Sequence, residues 1–106
     1  MNFEGTYTPL RHDLTIQPAS HGLGLVATET IPAGTFLGIS HVWEIQRSEW
    51  IRTPLGGFVN HSETPNAWIY WNQDHDLGWQ REMFAIRNIK AEEEVVVYYQ
   101  LPEYDD

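Results

Sequence analysis

The sequence predicts a mainly β fold that is built from many short strands and contains very little helix. Two observations support this class: β-branched and aromatic residues recur in short runs, and turns containing Gly or Pro separate these runs. Hydrophobic residues make up 42% of the 106 residues, which is enough to form a core without disulfides. The length allows one domain, so we expect a single unit over residues 1–106.

The strand candidates follow one another along the whole chain. They are the segments 15–17, 24–28, 36–45, 67–71, 82–86 and 94–99. The last contains three consecutive valines and is the strongest strand prediction, because β-branched residues favour extended backbone. The segments 67–71 and 82–86 predict a hairpin, with the polar stretch 72–80 as a long loop.

One helical turn is predicted over 47–52, with Ser48 as its N-cap and Pro54 preventing its continuation.

One pattern occurs twice. Segment 27–34 reads Ala-x-x-x-Ile-x-Ala-Gly, and segment 85–92 reads Ala-x-x-x-Ile-x-Ala-Glu. Each copy is predicted to be a strand, a tight turn and a second strand. The repetition predicts two matching units packed around one core with approximate two-fold symmetry, and chance similarity is the alternative.

Charge and composition limit the classes of partner. The net charge is −9, from 15 acidic and 6 basic residues, so duplex nucleic acid and anionic membranes would be repelled. Cationic protein segments would be attracted, although simple solubility also explains an acidic surface. There is no cysteine, no signal-peptide layout at the N-terminus and no apolar run of about 20 residues. We therefore expect a soluble intracellular protein.

Three local motifs are candidates for a functional site, and each has an ordinary structural interpretation. The polar residues of Phe-Val-Asn-His-Ser-Glu-Thr-Pro-Asn (58–66) lie between apolar runs, which suits either a ligand site or an Asx turn. The His-Gly-Leu-Gly segment 21–24 permits close backbone approach to a ligand but is also a common loop sequence. Tyr98 ends the valine strand, where a tyrosine is usually a packing residue. The five histidines show no metal-binding spacing, so no metal is expected.

Taken in order, these motifs resemble the SET-domain protein lysine methyltransferases. The resemblance rests on Gly-Leu-Gly-Leu-Val-Ala (22–27), on the Asn-His-Ser block in 58–66, and on the run from Phe84 to Tyr98. It covers about residues 21–99 and leaves 100–106 as a short acidic tail. In its compactness the chain is similar to the minimal stand-alone SET proteins of viruses and bacteria. The resemblance implies a β-clip-like fold of small curved sheets with a C-terminal pseudoknot.

The resemblance also implies a cofactor, S-adenosylmethionine. Backbone groups of the Gly-Leu-Gly segment would hold its methionine part, the Asn60 amide would contact its amino-acid end, and the His61 backbone would contact the adenine. Because only eight residues follow Tyr98, we expect Tyr104 or a second copy in a homodimer to complete the adenine end, or this end to stay open. The implied cofactor-binding residues are Gly22, Leu23, Gly24, Asn60, His61 and Tyr104.

For the reaction, the resemblance implies that Tyr98 is the catalytic tyrosine, acting on a lysine of a basic, histone-like protein. The implied walls of the lysine channel are Phe58, Ile69, Tyr70 and Tyr99. Two features depart from the family pattern: Ser40-His41 stands where relatives often carry a second tyrosine, and the insert between the two halves, about 42–55, is very short. The alternatives are a degenerate SET domain that binds a peptide without catalysis and a β-rich structural protein whose motifs match by chance.

Overall fold

The structure is a computed structural model that describes residues 10–74 and 78–99. Eight strands and one short helix follow in the order β1 Leu14–Ala19, β2 Gly22–Ala27, β3 Phe36–Glu44, β4 Glu49–Arg52, α1 Pro54–Phe58, β5 Asn60–His61, β6 Ala67–Asp74, β7 Gly78–Ala85 and β8 Glu94–Val97. This arrangement confirms the predicted mainly β class. No helix in the described ranges is long and apolar enough to cross a membrane.

The strands form two four-stranded sheets. Sheet 1 has the order β1-β2-β8-β5, and sheet 2 has the order β4-β3-β7-β6. In sheet 1 the C-terminal strand β8 is antiparallel to β2 and parallel to β5, so it lies between two segments that are far apart in the sequence. This placement agrees with the interlacing that the family resemblance implied. It brings the turn after β1, the Asn60 segment and strand β8 together at one edge of sheet 1.

The core lies between the two sheets and contains residues from both. Leu25, Ile31, Met83, Ile89 and Val95 have no exposed surface. Fully burying side chains of this size contributes about 1.5–3 kcal/mol each relative to exposure, so the core is the main source of stability. This shared core therefore fixes the position of one sheet relative to the other. It also fixes the positions of the loops at their edges.

The helical turn predicted over 47–52 is wrong. Residues 45–48 turn the chain back, with Ser48 at a φ of 52°, and β3 pairs with β4 in a hairpin. In that hairpin Trp43 lies opposite Trp50, and their rings pack edge to face with centroids 5.4 Å apart. One helical turn gains little because nucleation is costly, whereas the paired indoles bury a large apolar area.

Helix α1 begins at Pro54, the residue that we expected to prevent the continuation of the helical turn over 47–52. Proline suits the first position of a helix, because the N–H that it lacks would have no partner there. The Thr53 side chain caps this helix by accepting a hydrogen bond from the Gly56 N–H, 3.3 Å away. The helix packs against β3, and Gly56 lies so close to Ser40 that a Cβ there would be well inside van der Waals contact with the Ser40 carbonyl oxygen.

The predicted hairpin of 67–71 and 82–86 is confirmed, but its long loop is wrong. The backbone pairing of β6 with β7 continues through Asn72↔Gln80 to Asp74↔Gly78. Most of the stretch 72–80 is therefore strand. Polar residues do not exclude a strand when one of its faces points to solvent, so composition alone misplaced this boundary.

The repeated pattern corresponds to a local two-fold relation between the segments 27–34 and 85–92. Ile31 and Ile89 occupy equivalent positions, and each donates its backbone N–H to the other's carbonyl oxygen at 2.7 and 2.8 Å. Both isoleucines are fully buried. The paired hydrogen bonds confirm the prediction that the two segments pack together as matching units.

The same symmetry relates the last residues of the two copies. The Gly34 N–H donates to the Ala85 carbonyl oxygen at 2.8 Å, and the Glu92 N–H donates to the Ala27 carbonyl oxygen at 2.6 Å. The φ angles are also alike, 87° at Gly34 and 71° at Glu92. Glycine adopts this left-handed conformation freely, whereas other residues are strained there by about 1–2 kcal/mol. Glu92 therefore occupies a position that favours glycine.

We expect Glu92→Gly to raise the free energy of unfolding by about 0.5–1 kcal/mol, because the relief of strain exceeds the added entropy of the unfolded chain. The matched variant Gly34→Ala should lower it by about 1–2 kcal/mol, because its Cβ meets no neighbouring atom and the effect comes from the backbone alone. Urea unfolding of both variants measures these changes. A loss of stability in Glu92→Gly would show that the carboxylate matters more than the backbone conformation.

Candidate functional site

Three segments meet around the side chain of Asn60. Its amide nitrogen donates to a carboxylate oxygen of Glu94 on β8 at 2.8 Å and to the Leu23 carbonyl oxygen on β2 at 3.3 Å. A Cβ at Gly24 would lie 2.6 Å from the Glu94 carboxylate and 2.9 Å from the Asn60 amide nitrogen. Glycine at position 24 is therefore required for these two side chains to reach the β2 backbone.

A polar cleft of about 520 Å³ lies beside this cluster. Its lining residues are Ser20, His21, His61, Ser62, Glu63, Thr64, Asn66, Arg87, Glu93, Glu94 and Val96. The Ser20 hydroxyl donates to Glu94 at 2.8 Å, which connects the turn between β1 and β2 to β8. The lining contains three carboxylates, Glu63, Glu93 and Glu94, and one guanidinium, Arg87, which lies 3.7 Å from Glu93. The excess of negative charge favours a ligand with a net positive charge.

Asn66 anchors the loop that forms one wall of the cleft. Its side chain is buried, accepts a hydrogen bond from the Val96 N–H at 2.9 Å and donates to the Glu94 carbonyl oxygen at 2.8 Å. The Arg87 guanidinium donates to the carbonyl oxygens of Thr64 and Pro65 at 3.1 and 3.2 Å. The satisfied hydrogen bonds of the buried Asn66 side chain, with those of the exposed Arg87, hold this loop in one conformation.

His61 connects the cleft to the chain end through its side chain. The imidazole lies between two aromatic rings, with centroid distances of 4.8 Å to Tyr98 and 5.0 Å to Tyr99. Its Nδ1 accepts the Tyr99 backbone N–H at 2.8 Å, and its Nε2 is 3.1 Å from a Glu63 carboxylate oxygen. Acceptance at Nδ1 assigns a proton to Nε2, which then donates to Glu63. The imidazole thus positions Tyr99.

The two tyrosines have different environments. The Tyr99 hydroxyl donates to the Val59 carbonyl oxygen at 2.8 Å, and its ring packs against the core. Burial raises the pKa of the Tyr99 phenol, so this hydroxyl remains protonated at neutral pH. The Tyr98 side chain is 42% exposed. Only Tyr99 therefore offers a hydroxyl that is both fixed in place and partly shielded from water.

A family model described as SET domain matches residues 39–100, which is more than half of the chain. The chain belongs to the SET-domain family. The matched region contains Asn60, His61, Glu94 and both tyrosines, so the hydrogen-bonded cluster around Asn60 lies mostly within the family's own segment.

Solved structures share this SET-domain fold. A Plasmodium falciparum protein with a provisional assignment as a histone methyltransferase is 18% identical, with a TM-score of 0.70 over 90% of this chain and 99% of that one. An inhibitor-bound Polycomb Repressive Complex 2 of Chaetomium thermophilum is 19% identical, with a TM-score of 0.66, over 82% of this chain. The match covers only 16% of that second chain. The search of curated proteins found no match.

Within the SET domain, the predicted channel residues do not all share one environment. Phe58 and Tyr99 pack against the core, and Ile69 is buried in it. Tyr70 follows Ile69 on β6, so its side chain points to the opposite face of sheet 2, where it is 47% exposed. The structure thus brings three of the four residues towards the interior and separates Tyr70 from them. Tyr104 lies outside the described residues, and its role stays a prediction.

The segment that replaces the family's second tyrosine is wholly buried in this SET domain. Ser40 and His41 have no exposed surface, and the Ser40 hydroxyl is 2.8 Å from His41 Nδ1. Arg81 is buried beside them and stacks on the Trp50 ring, with its guanidinium carbon 4.0 Å from the ring centroid. These residues stabilise sheet 2 from within. In the described part of the chain, no three His, Asp or Glu side chains converge on a possible metal position.

Sequence reasoning missed Glu94, Ser20 and the His61 side chain as parts of the site. Glu94 was assigned to a valine-rich strand, and only its position between β2 and β5 shows that its carboxylate meets Asn60. Asn66 could have been recognised from the sequence, because it is the last residue of the polar motif that contains Asn60. The motif does not show which of the two side-chain amides faces a ligand. The contacts of these residues span more than 25 positions of sequence, so local patterns carry little information about them.

Proposed function

We propose that this SET domain transfers a methyl group from S-adenosylmethionine to the side-chain amine of a lysine in a basic protein. The observation that carries the proposal is that Asn60 links the Gly-Leu-Gly strand to Glu94 beside a polar cleft, and that His61, which lines this cleft, contacts Tyr99. Membership of the SET-domain family supports the same activity. The substrate protein would be recognised by its positive charge, because this chain carries a net charge of −9.

The residues of the cleft suit the proposed cofactor. S-adenosylmethionine supplies an electrophilic methyl group on a sulfonium, and it is cationic overall. Glu94, held by Ser20 and Asn60, presents a carboxylate where the ammonium of the amino-acid part would bind. Gly24 allows this carboxylate and the Asn60 amide to pack directly on the β2 backbone, since a Cβ there would collide with both. The charge of the cleft therefore suits the donor.

The chain's own contribution to the reaction is alignment and desolvation. Lysine attacks only as a neutral amine, and an apolar channel lowers the pKa of the amine by disfavouring its charged form. Phe58 and Ile69 supply apolar surface towards the core. Holding the two reactants in line converts a bimolecular step into an effectively unimolecular one, which removes much of the barrier. No strong general base is then required.

We further propose that Tyr99 provides the active hydroxyl, and not the Tyr98 that the sequence motif singled out. A hydroxyl stabilises a transition state best when it is already oriented and partly shielded from water. The Tyr99 hydroxyl has a fixed hydrogen bond to Val59, and its backbone is bound to His61. The Tyr98 ring is exposed, packs against the His61 imidazole and partly covers it.

Calorimetric titration with S-adenosylmethionine tests the cofactor site. We expect saturable one-to-one binding that weakens by about tenfold or more in Gly24→Ala and in Asn60→Ala, because both changes displace Glu94 from the β2 backbone. Gly57→Ala is the matched control, since a Cβ there meets no atom within 4 Å and the residue lies outside the cleft. Equal affinity in all three variants would show that the cofactor binds elsewhere.

A second candidate function is a SET domain that binds a basic peptide without catalysis. The burial of Ser40 and His41, where relatives often carry a second active-site tyrosine, favours it. This interpretation predicts peptide binding that is independent of the cofactor and no transfer of labelled methyl groups to basic proteins. Any turnover above the uncatalysed rate, lost in Tyr99→Phe, would exclude it.

A further inference from the structure

A cluster of aromatic side chains covers the face of sheet 2 that points away from the core. Phe84 on β7 lies at its centre, with Phe36 on β3 and Trp68 on β6 as its direct cross-strand neighbours. The ring centroid of Phe84 is 5.2 Å from that of Phe36 and 5.8 Å from that of Tyr70. Phe36 and Tyr70 are 43% and 47% exposed. The cluster is therefore open to solvent on one side.

Next to the cluster is a hollow of about 550 Å³, here called the outer hollow, lined by Gly34, Tyr70, Phe84, Ala85 and Ile86. The rings of Tyr70 and Phe84 meet at 74°, so they form two nearly perpendicular walls. Gly34 has no side chain, and a Cβ there would meet no atom within 4 Å, which leaves the entrance wide. The lining is mostly apolar.

A carboxylate lies beside these walls. Glu82 is the direct cross-strand partner of Tyr70, so the two side chains project from the same face about 5 Å apart at their Cβ atoms. Its position is fixed by a hydrogen bond from the Gln80 amide nitrogen at 2.9 Å. Together with the net charge of −9, this carboxylate makes the surroundings of the hollow attractive to a cation.

We propose that the outer hollow binds the methylated ammonium group of a methyllysine side chain in a basic peptide. Aromatic faces attract cations, and the two nearly perpendicular rings of Tyr70 and Phe84 can contact one cation at the same time. An unmethylated ammonium has three N–H donors that need acceptors, and a mostly apolar hollow offers few. A trimethylated ammonium has no donors, so it loses less on leaving water.

The outer hollow shares no lining residue with the polar cleft. Binding there goes beyond the proposed methyl transfer and does not depend on it, although that reaction would produce such a ligand. The prediction is therefore a second, separate peptide site on the opposite face of sheet 2 from Ile69. A peptide that binds there through one methylated lysine would place its other lysines at other positions on the protein surface.

Titration with three short peptides tests this proposal. They are identical except for one residue: trimethyllysine, unmodified lysine, or a neutral isostere in which carbon replaces the quaternary nitrogen. We expect the trimethyllysine peptide to bind about tenfold more tightly than either of the others. Tyr70→Ala should weaken its binding by about tenfold, and Tyr70→Leu should remove the preference for the cation while keeping apolar bulk. Tyr70 is exposed, so both variants should fold.

Two control variants separate the outer hollow from the rest of the protein. Ile51→Ala removes an exposed apolar residue from another strand of sheet 2, and affinity should stay within about twofold. Asn60→Ala disables the cofactor cluster and should also leave peptide affinity unchanged. The proposal is overturned if the neutral isostere binds equally well, if no peptide binds, or if Asn60→Ala abolishes binding while Tyr70→Leu does not. Sedimentation that shows a dimer dispersed by Tyr70→Ala would assign this face to a second copy instead.

Discussion

Tyr99→Phe is expected to lower the rate of methyl transfer by about a hundredfold or more, whereas Tyr98→Phe should change it by less than about threefold. The phenol of Tyr99 is half-buried, donates to Val59 and is held through its backbone by His61. Removing that hydroxyl removes a preoriented polar group from a partly dehydrated site, where polar groups have their largest effect. Tyr98 is exposed, so water can replace its hydroxyl at little cost.

Single-turnover transfer of labelled methyl groups to a mixture of basic proteins measures both effects. Each variant must first show wild-type cofactor affinity by calorimetry and a wild-type thermal unfolding curve, so that a rate change reports the chemical step. The opposite result, with Tyr98→Phe inactive and Tyr99→Phe active, would restore the assignment suggested by the motif. Full activity in both would remove the tyrosine pair from the reaction.

Gly56→Ala should lower the free energy of unfolding by about 3 kcal/mol, near the upper end of the cost of overpacking a core. The Cβ would overlap the Ser40 carbonyl oxygen, a backbone atom that is fixed by hydrogen bonds from Thr53. Neither α1 nor β3 can move without disturbing the other, because the helix packs directly on that strand. The conflict cannot be relieved by a change of side-chain rotamer.

Gly57→Ala is the matched control for that prediction. It is the next residue of the same helix, it is exposed, and a Cβ there meets no atom within 4 Å. Alanine has the higher helix propensity, so stability should rise by up to about 1 kcal/mol. Chemical unfolding of the two variants under identical conditions gives the comparison. Similar stabilities would mean that α1 moves away from β3 more easily than its packing implies.

Much of the fold was predictable because its signals are local. The valine run of β8, the hairpin of β6 with β7 and the repeated Ala-Ile-Ala pattern were all recognised from neighbouring residues. Short-range signals failed where a long-range contact decided the outcome. Within the segment 47–52, residues 49–52 form strand β4, in which Trp50 packs on Trp43, and Pro54 begins a helix that the Thr53 side chain caps.

By itself, the sequence determined the family and the β class, since motif order and strand propensity are properties of the chain alone. The tertiary structure decided which atoms meet. Glu94 reaches Asn60 only because β8 lies between β2 and β5. The environments of Tyr98 and Tyr99 differ although both rings contact His61: Tyr99 packs against the core and its hydroxyl donates to Val59, whereas Tyr98 is exposed.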